Sequence, residues 1–177
     1  MPGNAFIKFE PKEGKAVGES QQIGHLGTDG WIEIGEWSWD VEAESSHLKG
    51  TGASVGKPKP NPVTFSHYYD KSSPSLMQYI VKGTTFKTAT IHMLKQTGKD
   101  QPELFFEMIC KDVFITKVSS KGDGDGNVNQ DVEFVCKQLA IGYKRQDNDG
   151  SLKELYPFRW NIAEQTQVLK DLALTIK

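Results

Sequence analysis

The chain has 177 residues, enough for one domain with a hydrophobic core, and its 37% apolar and 25% charged residues are typical of a globular protein. Its 21 basic and 23 acidic residues give a net charge of −2, so the composition lacks the basic surplus that indicates nucleic-acid binding. The sequence shows no secretory signal pattern and no apolar run of membrane-spanning length. We therefore expect a chain made in the cytoplasm, not inserted in a membrane, and exported only by a dedicated machine.

The N-terminal part has the two-residue period of half-buried β-strands. Ala5–Glu10 alternates in this way. In Trp31–Glu42 the apolar side chains change parity at Gly35–Glu36, which predicts a β-bulge that bends the strand. Beyond this bulge, Ser38 and Asp40 belong to a polar face opposite two tryptophans.

Residues 44–62 form the least core-like stretch, rich in Ser, Gly, Lys and Pro. Such a segment buries too little apolar surface to order itself. A loop of this length in a compact domain is usually either functional or disordered. Two interpretations stay open, a projecting arm and a mobile surface loop.

The clearest helix signal begins near Asp70. Ser73 suits the N-cap, and Pro74 suits the first helical position, where its missing N–H costs nothing. An apolar stripe follows, and Gly83 suits the left-handed position after the last turn. Asp70, Ser73 and Pro74 are therefore predicted to fix the start of one short helix that caps an end of the fold.

The C-terminal part again reads as strands. Phe86–Gln96 and Glu103–Val118 predict a hairpin, followed by strands in Asp131–Gln146 and Phe158–Ile162. Glu103–Val118 is apolar on both faces, so one face needs cover other than the core, and we expect a subunit interface to provide it. The pattern predicts a mainly β fold, an antiparallel β-barrel with one short α-helix at an end.

The tail, residues 163–177, stands apart from a domain of residues 1–162. Its apolar residues have helical spacing. Two interpretations stay open, an amphipathic helix docked on a neighbour and a tail ordered only by contacts with other molecules.

The sequence has none of the common catalytic signatures. Cys110 and Cys136 lie in apolar segments and are expected to be buried, reduced thiols. The segment Asp123–Asp131 opens like a calcium loop, but Val128 and Phe134 stand where that loop needs glycine and a bidentate glutamate. We predict a turn there, and no enzyme activity, metal or cofactor. A site built from residues distant in sequence stays an alternative.

Several motifs follow one another along the chain: Ala5–Phe9, Val17–Ser20, Ile34–Trp39, Phe65–Leu76, Val113–Ser120, and Ile141–Asp147 with the later Trp160-Asn161. Their content and order resemble the Hcp family, the tail-tube subunits of type VI secretion systems. The resemblance runs from about Ala5 to Ile162. The chain departs from the family pattern in the Lys/Pro-containing loop, the Asp/Gly-rich turn and the tail.

The resemblance implies a β-barrel with a helix at one end, which assembles into a homohexameric ring. Rings would stack head to tail into a hollow tube, surrounded by a contractile sheath and tipped by a valine-glycine repeat spike protein. Small effector proteins would ride in the lumen. The resemblance also implies cytoplasmic assembly followed by secretion through the type VI machine.

On this interpretation the functional residues are interface residues. The loop 44–62 would contact the adjacent ring, with the candidate residues Ser46, His47, Lys49, Lys57 and Lys59. Ser38 and Asp40 are candidates for the lumen wall, and the sequence leaves open which strand face turns inward. Two alternatives remain: the tail-tube protein of a phage-like contractile particle, and a monomeric barrel that binds a small ligand in its mouth.

Overall fold

The structure is a computed structural model that describes residues 4–15, 17–45 and 56–177. Its strands are, in chain order, β1 (Ala5–Pro11), β2 (Gln21–Gln22), β3 (His25–Leu26), β4 (Trp31–Ile34), β5 (Trp37–Ser38), β6 (Val41–Glu42), β7 (Lys59–Pro60), β8 (Val63–Tyr68), β9 (Phe86–Lys95), β10 (Glu103–Gly122), β11 (Val128–Val135), β12 (Gln138–Gln146) and β13 (Leu152–Asn161). Within those ranges the single α-helix is α1 (Ser72–Lys82), and a 3₁₀ turn covers Gly27–Asp29. The predicted mainly β fold with one helix is confirmed.

Nine strands form one antiparallel sheet in the order β4-β1-β9-β10-β11-β8-β5, with β12 on β10 and β13 on β12. The strand β10 belongs to two ladders. It pairs with β12 as far as Lys111 and with β11 from Phe114. Between these ladders Asp112 has a left-handed backbone with φ 54°, which turns the strand from one neighbour to the other. The predicted hairpin of β9 and β10 is confirmed.

The predicted closed barrel is not formed by the strand pairing of the described residues. The order is open and ends at β4 and β5, which Gly35–Glu36 separates in the chain. Gly35 donates its N–H to Ser66 O at 2.8 Å, and Ser66 donates to Glu36 O at 2.9 Å. These bonds bring β8 to the end of β4. No continuous ladder follows, because the chain is irregular at Gly35–Glu36 and β5 has only two residues.

The sheet curves around one hydrophobic core that also receives Leu76 from the helix. Fully buried side chains at its centre include Ile7, Ile91, Met108 and Phe134. Alternation along each strand explains this, since every second residue of a strand points to the same face.

The chain itself covers part of the second apolar face of the sheet, and the subunit interface expected over Glu103–Val118 stays a prediction. Phe6, Trp31 and Leu94 form a small cluster on this face. The ring of His25, from the β2–β3 hairpin, lies on it, 5.2 Å from Phe6 and 4.5 Å from Trp31 between ring centroids. Phe6 and Trp31 are thereby buried without a partner subunit.

The helix begins two residues earlier than predicted. It starts at Ser72, so Ser73 and Pro74 lie inside the first turn, and the assignment of Ser73 as N-cap is wrong. The carboxylate of Asp70 accepts hydrogen bonds from the backbone N–H of Ser72 at 2.8 Å and from its hydroxyl. The hydroxyl of Ser73 accepts from the N–H of Asp70 at 3.0 Å. Asp70 therefore satisfies two of the free backbone donors at this end, the N–H of Ser72 through its carboxylate and the N–H of Ser73 through its carbonyl.

The tail does not form the helix that one interpretation predicted. It runs extended, and Leu172, Leu174 and Ile176 turn toward the sheet at every second residue. Left-handed backbone at Gln165 and Asp171, with φ 56° and 54°, interrupts any helix. The tail is anchored where Lys170 N–H donates to the side chain of Gln138 at 2.7 Å. The apolar residues of the tail have helical spacing in the sequence, but in the structure they contact the sheet as alternate residues of an extended segment.

The two cysteines are both free thiols. Cys110 is buried in the core, as predicted, whereas Cys136 is only partly buried. A hydrogen bond with the Cys136 thiol, together with burial, raises the pKa of the Cys110 thiol well above its ordinary value. Such a thiol stays protonated and packs as a small hydrophobe.

Candidate functional site

An exposed aromatic surface lies on β12 and β13. Tyr143, Tyr156 and Phe158 expose 40%, 53% and 42% of their surfaces. Tyr143 pairs directly with Tyr156. The alternation of each strand places all three on the same face as the buried Leu139 and Trp160. The row of side chains that elsewhere packs the core therefore continues past the core and ends uncovered.

Further aromatic rings border this row. The rings of Trp39 and Phe158 lie 6.4 Å apart, and the ring of Phe105 meets Tyr143 edge to face at the same distance. We call Trp39, Tyr143, Tyr156 and Phe158 the aromatic face. Offset and edge-to-face rings of this kind are rigid and amphipathic, and they are enriched in protein interfaces.

The outer edge of β13 carries no paired strand in the part of the chain that the structure describes. An unpaired edge beside an apolar surface favours association with another chain. Pro157 lies opposite Gly142 in β13 and has no N–H to offer, which is a residue type tolerated on edge strands. The arrangement is suited to binding a protein surface.

The predicted loop residues are only partly within the described ranges. Ser46, His47 and Lys49 lie outside them. Lys57 and Lys59 are exposed, and Lys59 pairs with Glu42 in the short β6–β7 ribbon at the base of the loop. Lys59 in β7 and Lys57 just before it therefore place two exposed lysines at the base of the loop.

The two candidates for the lumen wall take part in local hydrogen bonds. The carboxylate of Asp40 accepts from the side-chain amide of Asn61 at 2.5 Å, and its backbone carbonyl accepts from the backbone N–H of Asn61 at 3.0 Å, which fastens the two ends of the loop. Ser38 shares a hydrogen bond of 2.6 Å with the hydroxyl of Thr64. Both side chains are on the exposed face, opposite the partly buried Trp37 and Trp39.

In the segment that resembles a calcium loop, Asp123–Asp131, the first carboxylate is hydrogen-bonded within its own turn. The carboxylate of Asp123 accepts from the backbone N–H groups of Asp125 and Asn127 at 2.9 and 3.0 Å. These bonds lower the pKa of Asp123, with Asn127 the largest cause. No group of three or more potential ligands suited to a metal ion occurs among residues 4–15, 17–45 and 56–177. The oxygens of Asp123 therefore close the β10–β11 turn.

A partly buried series of hydrogen-bonded polar side chains, with His92 and Glu107 at its buried centre, was missed by the sequence reasoning. His92 contacts Glu107 with 2.6 Å between Nε2 and Oε2, and His25 contacts His92 with 2.8 Å between Nε2 and Nδ1. Glu107 also accepts from the backbone N–H of Thr175 at 2.6 Å and from its hydroxyl. We call His25, His92, Glu107 and Thr175 the polar relay.

The electrostatics of the polar relay follow from these contacts. Burial opposes the charge on Glu107, but the hydrogen bonds from His92 and Thr175 outweigh it and lower the pKa of this carboxyl. Burial, and then the neighbouring His92, lower the pKa of His25 to about 4. A signal was present in the sequence: Glu107 is a charged residue in the middle of an apolar strand.

Comparisons with known proteins agree with this fold. Residues 6–147 match the family described as type VI secretion system effector, Hcp. Protein hcp1 of Pseudomonas aeruginosa is 30% identical over 170 residues, which cover 94% of this chain and 99% of that protein.

Solved structures share the fold at lower identity. The structure of a type six secretion system protein superposes with a TM-score of 0.81 at 23% identity, covering 92% of this chain and 97% of that one. Hcp1 from Salmonella typhimurium gives 0.70 at 21% identity, with 95% and 100% covered. The chain therefore belongs to the Hcp family, the tube proteins of type VI secretion systems.

Proposed function

We propose that the chain forms a homohexameric ring through the aromatic face and the free edge of β13, and that rings stack into the secreted tube. The observation that carries the proposal is the row Tyr143, Tyr156 and Phe158, which is continuous with the core and uncovered in the single chain. An interface that joins different surfaces of neighbouring copies closes into a ring when its rotation allows, and a second such interface builds a tube.

The size of the aromatic face supports this assignment. A fully buried aromatic side chain removes about 150–250 Å² from water, so the exposed parts of the three rings together amount to roughly 300 Å². At about 25 cal/mol per Å², their burial is worth on the order of 7 kcal/mol before the cost of association is subtracted. This is a central anchor of an interface, and the surrounding strand edge supplies the remaining contacts.

Stacking is assigned to the loop 44–62. Lys57 and Lys59 project from its base, and Ser46, His47 and Lys49 belong to the same loop. Contact with the next ring is expected to include their charges. Ser38 and Asp40, which face away from the core, are proposed to line the lumen, where small effector proteins would travel.

The proposed partners are further copies of this chain, a contractile sheath, a valine-glycine repeat spike protein and small effectors. The chain would be assembled in the cytoplasm and secreted by the type VI machine without any enzymatic step. Among the described residues, no helix is long and apolar enough to cross a membrane.

The ring interface is tested by replacing Tyr156 and Phe158 together with serine. Both side chains are about half exposed, so the monomer is expected to keep its circular dichroism spectrum while its melting temperature falls, because the buried half of each ring is also lost. The matched control is Val81→Ser on α1, an apolar side chain that is 85% exposed. Native mass spectrometry should show a six-fold mass for the control and monomers for the double variant. A double variant that still forms six-fold assemblies would refute the assignment of the aromatic face.

A further inference from the structure

The C-terminal segment, residues 168–177, is held on the sheet by contacts that converge on Glu107. The carboxylate of Glu107 accepts hydrogen bonds from Thr175, as described above, and from the N–H of Ile176 at 3.3 Å. Ile176 is itself buried and lies over Gly142, where even a methyl group would come within 2.7 Å of it. The tail thus fits a slot that exists because Gly142 has no side chain.

The polar relay leads from this anchor to the opposite border of the same face. His92 contacts the Glu107 carboxylate through Nε2, and a second hydrogen bond joins its Nδ1 to Nε2 of His25. The contact with Glu107 therefore fixes the orientation of the His92 ring, and this ring in turn positions His25. At the His25 end of the polar relay, the ring atom Nδ1 is buried and has no hydrogen-bond partner among the described residues.

His25 belongs to the β2–β3 hairpin, whose base is tied to β4 by a hydrogen bond from Ser20 N–H to Trp31 O at 3.3 Å. Each of its strands has two residues. Gly27 donates to Ser20 O at 2.7 Å, and Gly18 donates to Gly27 O at 3.1 Å. The hairpin exposes 65% of Ile23, a surface apolar side chain whose position depends on how the hairpin is seated. A short ribbon of this kind is marginal without outside contacts.

We propose that the C-terminal segment is a latch for the β2–β3 hairpin, acting through Thr175, Glu107, His92 and His25. Seating the tail satisfies Glu107 and orders the relay, and the relay then holds His25 against Phe6 and Trp31. Unseating the tail leaves a buried carboxylate with too few donors, and His92 and His25 reorganise to compensate. The latch couples two surface elements that share no direct hydrogen bond in the described part of the chain.

The proposal concerns contacts within one chain and does not depend on ring formation. It is tested by hydrogen exchange on the full-length chain. Gly142→Ala pushes Ile176 out of its slot, and the three atoms nearest to the added methyl belong to Ile176, Leu155 and Leu174, none of them a relay residue. The matched control is Gly122→Ala at the end of β10, where the nearest atom to an added methyl is 3.8 Å away.

Gly142→Ala is expected to raise the exchange rates of the Thr175 and Ile176 amides. It should also raise those of the Ser20 and Gly27 amides by roughly tenfold, which corresponds to the stability lost when hydrogen bonds to a buried charged group are removed. The double variant Thr175→Val/Ile176→Ser releases the anchor directly and should give the same result. Gly122→Ala should leave all of these rates unchanged.

A third variant separates the relay from a general loosening of the sheet. His92→Leu breaks the chain between Glu107 and His25, so the hairpin should exchange faster, and adding Gly142→Ala should then raise its exchange no further. Faster tail exchange with an unchanged hairpin, or an effect of Gly142→Ala that persists in the His92→Leu background, would overturn the proposal.

Discussion

Mild acid should destabilise the protein through His25. The pKa of this histidine falls from 6.5 to about 4 on folding, because the ring is buried beside His92. Between these values the unfolded chain binds a proton that the folded chain excludes. The stability that the neutral His25 ring contributes to the folded state is therefore fully present above pH 6.5 and is lost as the pH falls toward 4. The free energy of unfolding must decrease with acidification across this window.

The magnitude follows from linkage. A shift from 6.5 to about 4 corresponds to a loss of roughly 2 kcal/mol on going from pH 8 to pH 5. Since His25 is only partly buried, solvent screening reduces this, and we expect about 1–2 kcal/mol. The lowered pKa of Glu107 acts in the same direction but only below about pH 4.5, outside the measured range.

Urea unfolding at fixed protein concentration, at pH 8 and pH 5, measures this difference. His25→Phe is the matched variant, since a phenyl ring keeps the contacts with Phe6 and Trp31 and cannot titrate. The variant should be less stable at pH 8, because it loses the hydrogen bond to His92. Its loss of stability between pH 8 and pH 5 should be smaller than that of the wild type by about 1–2 kcal/mol. Equal losses in the two proteins would refute the assignment to His25.

Three further predictions test the core, the helix start and the β10–β11 turn. Phe134→Ala should lower the free energy of unfolding by about 3–5 kcal/mol, because it empties a fully buried site against Phe9; a urea-midpoint loss typical of surface variants would contradict this packing. Asp70→Ala should cost about 1 kcal/mol in the same assay by removing the acceptor of Ser72, and an unchanged midpoint would contradict its capping role. Millimolar calcium should leave the melting temperature unchanged, because Asp123 is bonded to its own turn; a calcium-dependent rise that Asp123→Ala abolishes would reveal a site.

The strands and the helix were predictable because their signals are local. Alternation in Ala5–Glu10 and the parity change at Gly35–Glu36 correspond to β1 and to the break between β4 and β5. The helix start was misplaced by two residues, because Asp70 and Ser73 both accept hydrogen bonds from backbone N–H groups there and either residue type suits an N-cap. Residue types near a helix start indicate that a helix begins there more reliably than they indicate its first residue.

Features that depend on long-range contacts were not predictable. The tail has helical spacing, but the slot over Gly142 that holds it extended is formed by a distant strand. His92 and Glu107 become neighbours only through the β9–β10 register. The second apolar face was assigned to a partner, whereas His25 covers part of it. The surface that does remain uncovered, around Tyr156, was not singled out, because exposure is a property of the folded sheet.

The central claim is that this chain is a ring-forming tube subunit, and native mass spectrometry of the purified wild-type protein tests it most directly, with negative-stain images of the same sample. The account predicts a dominant six-fold mass and annular particles. A stable monomer at micromolar concentration would contradict it and would favour a monomeric ligand-binding fold.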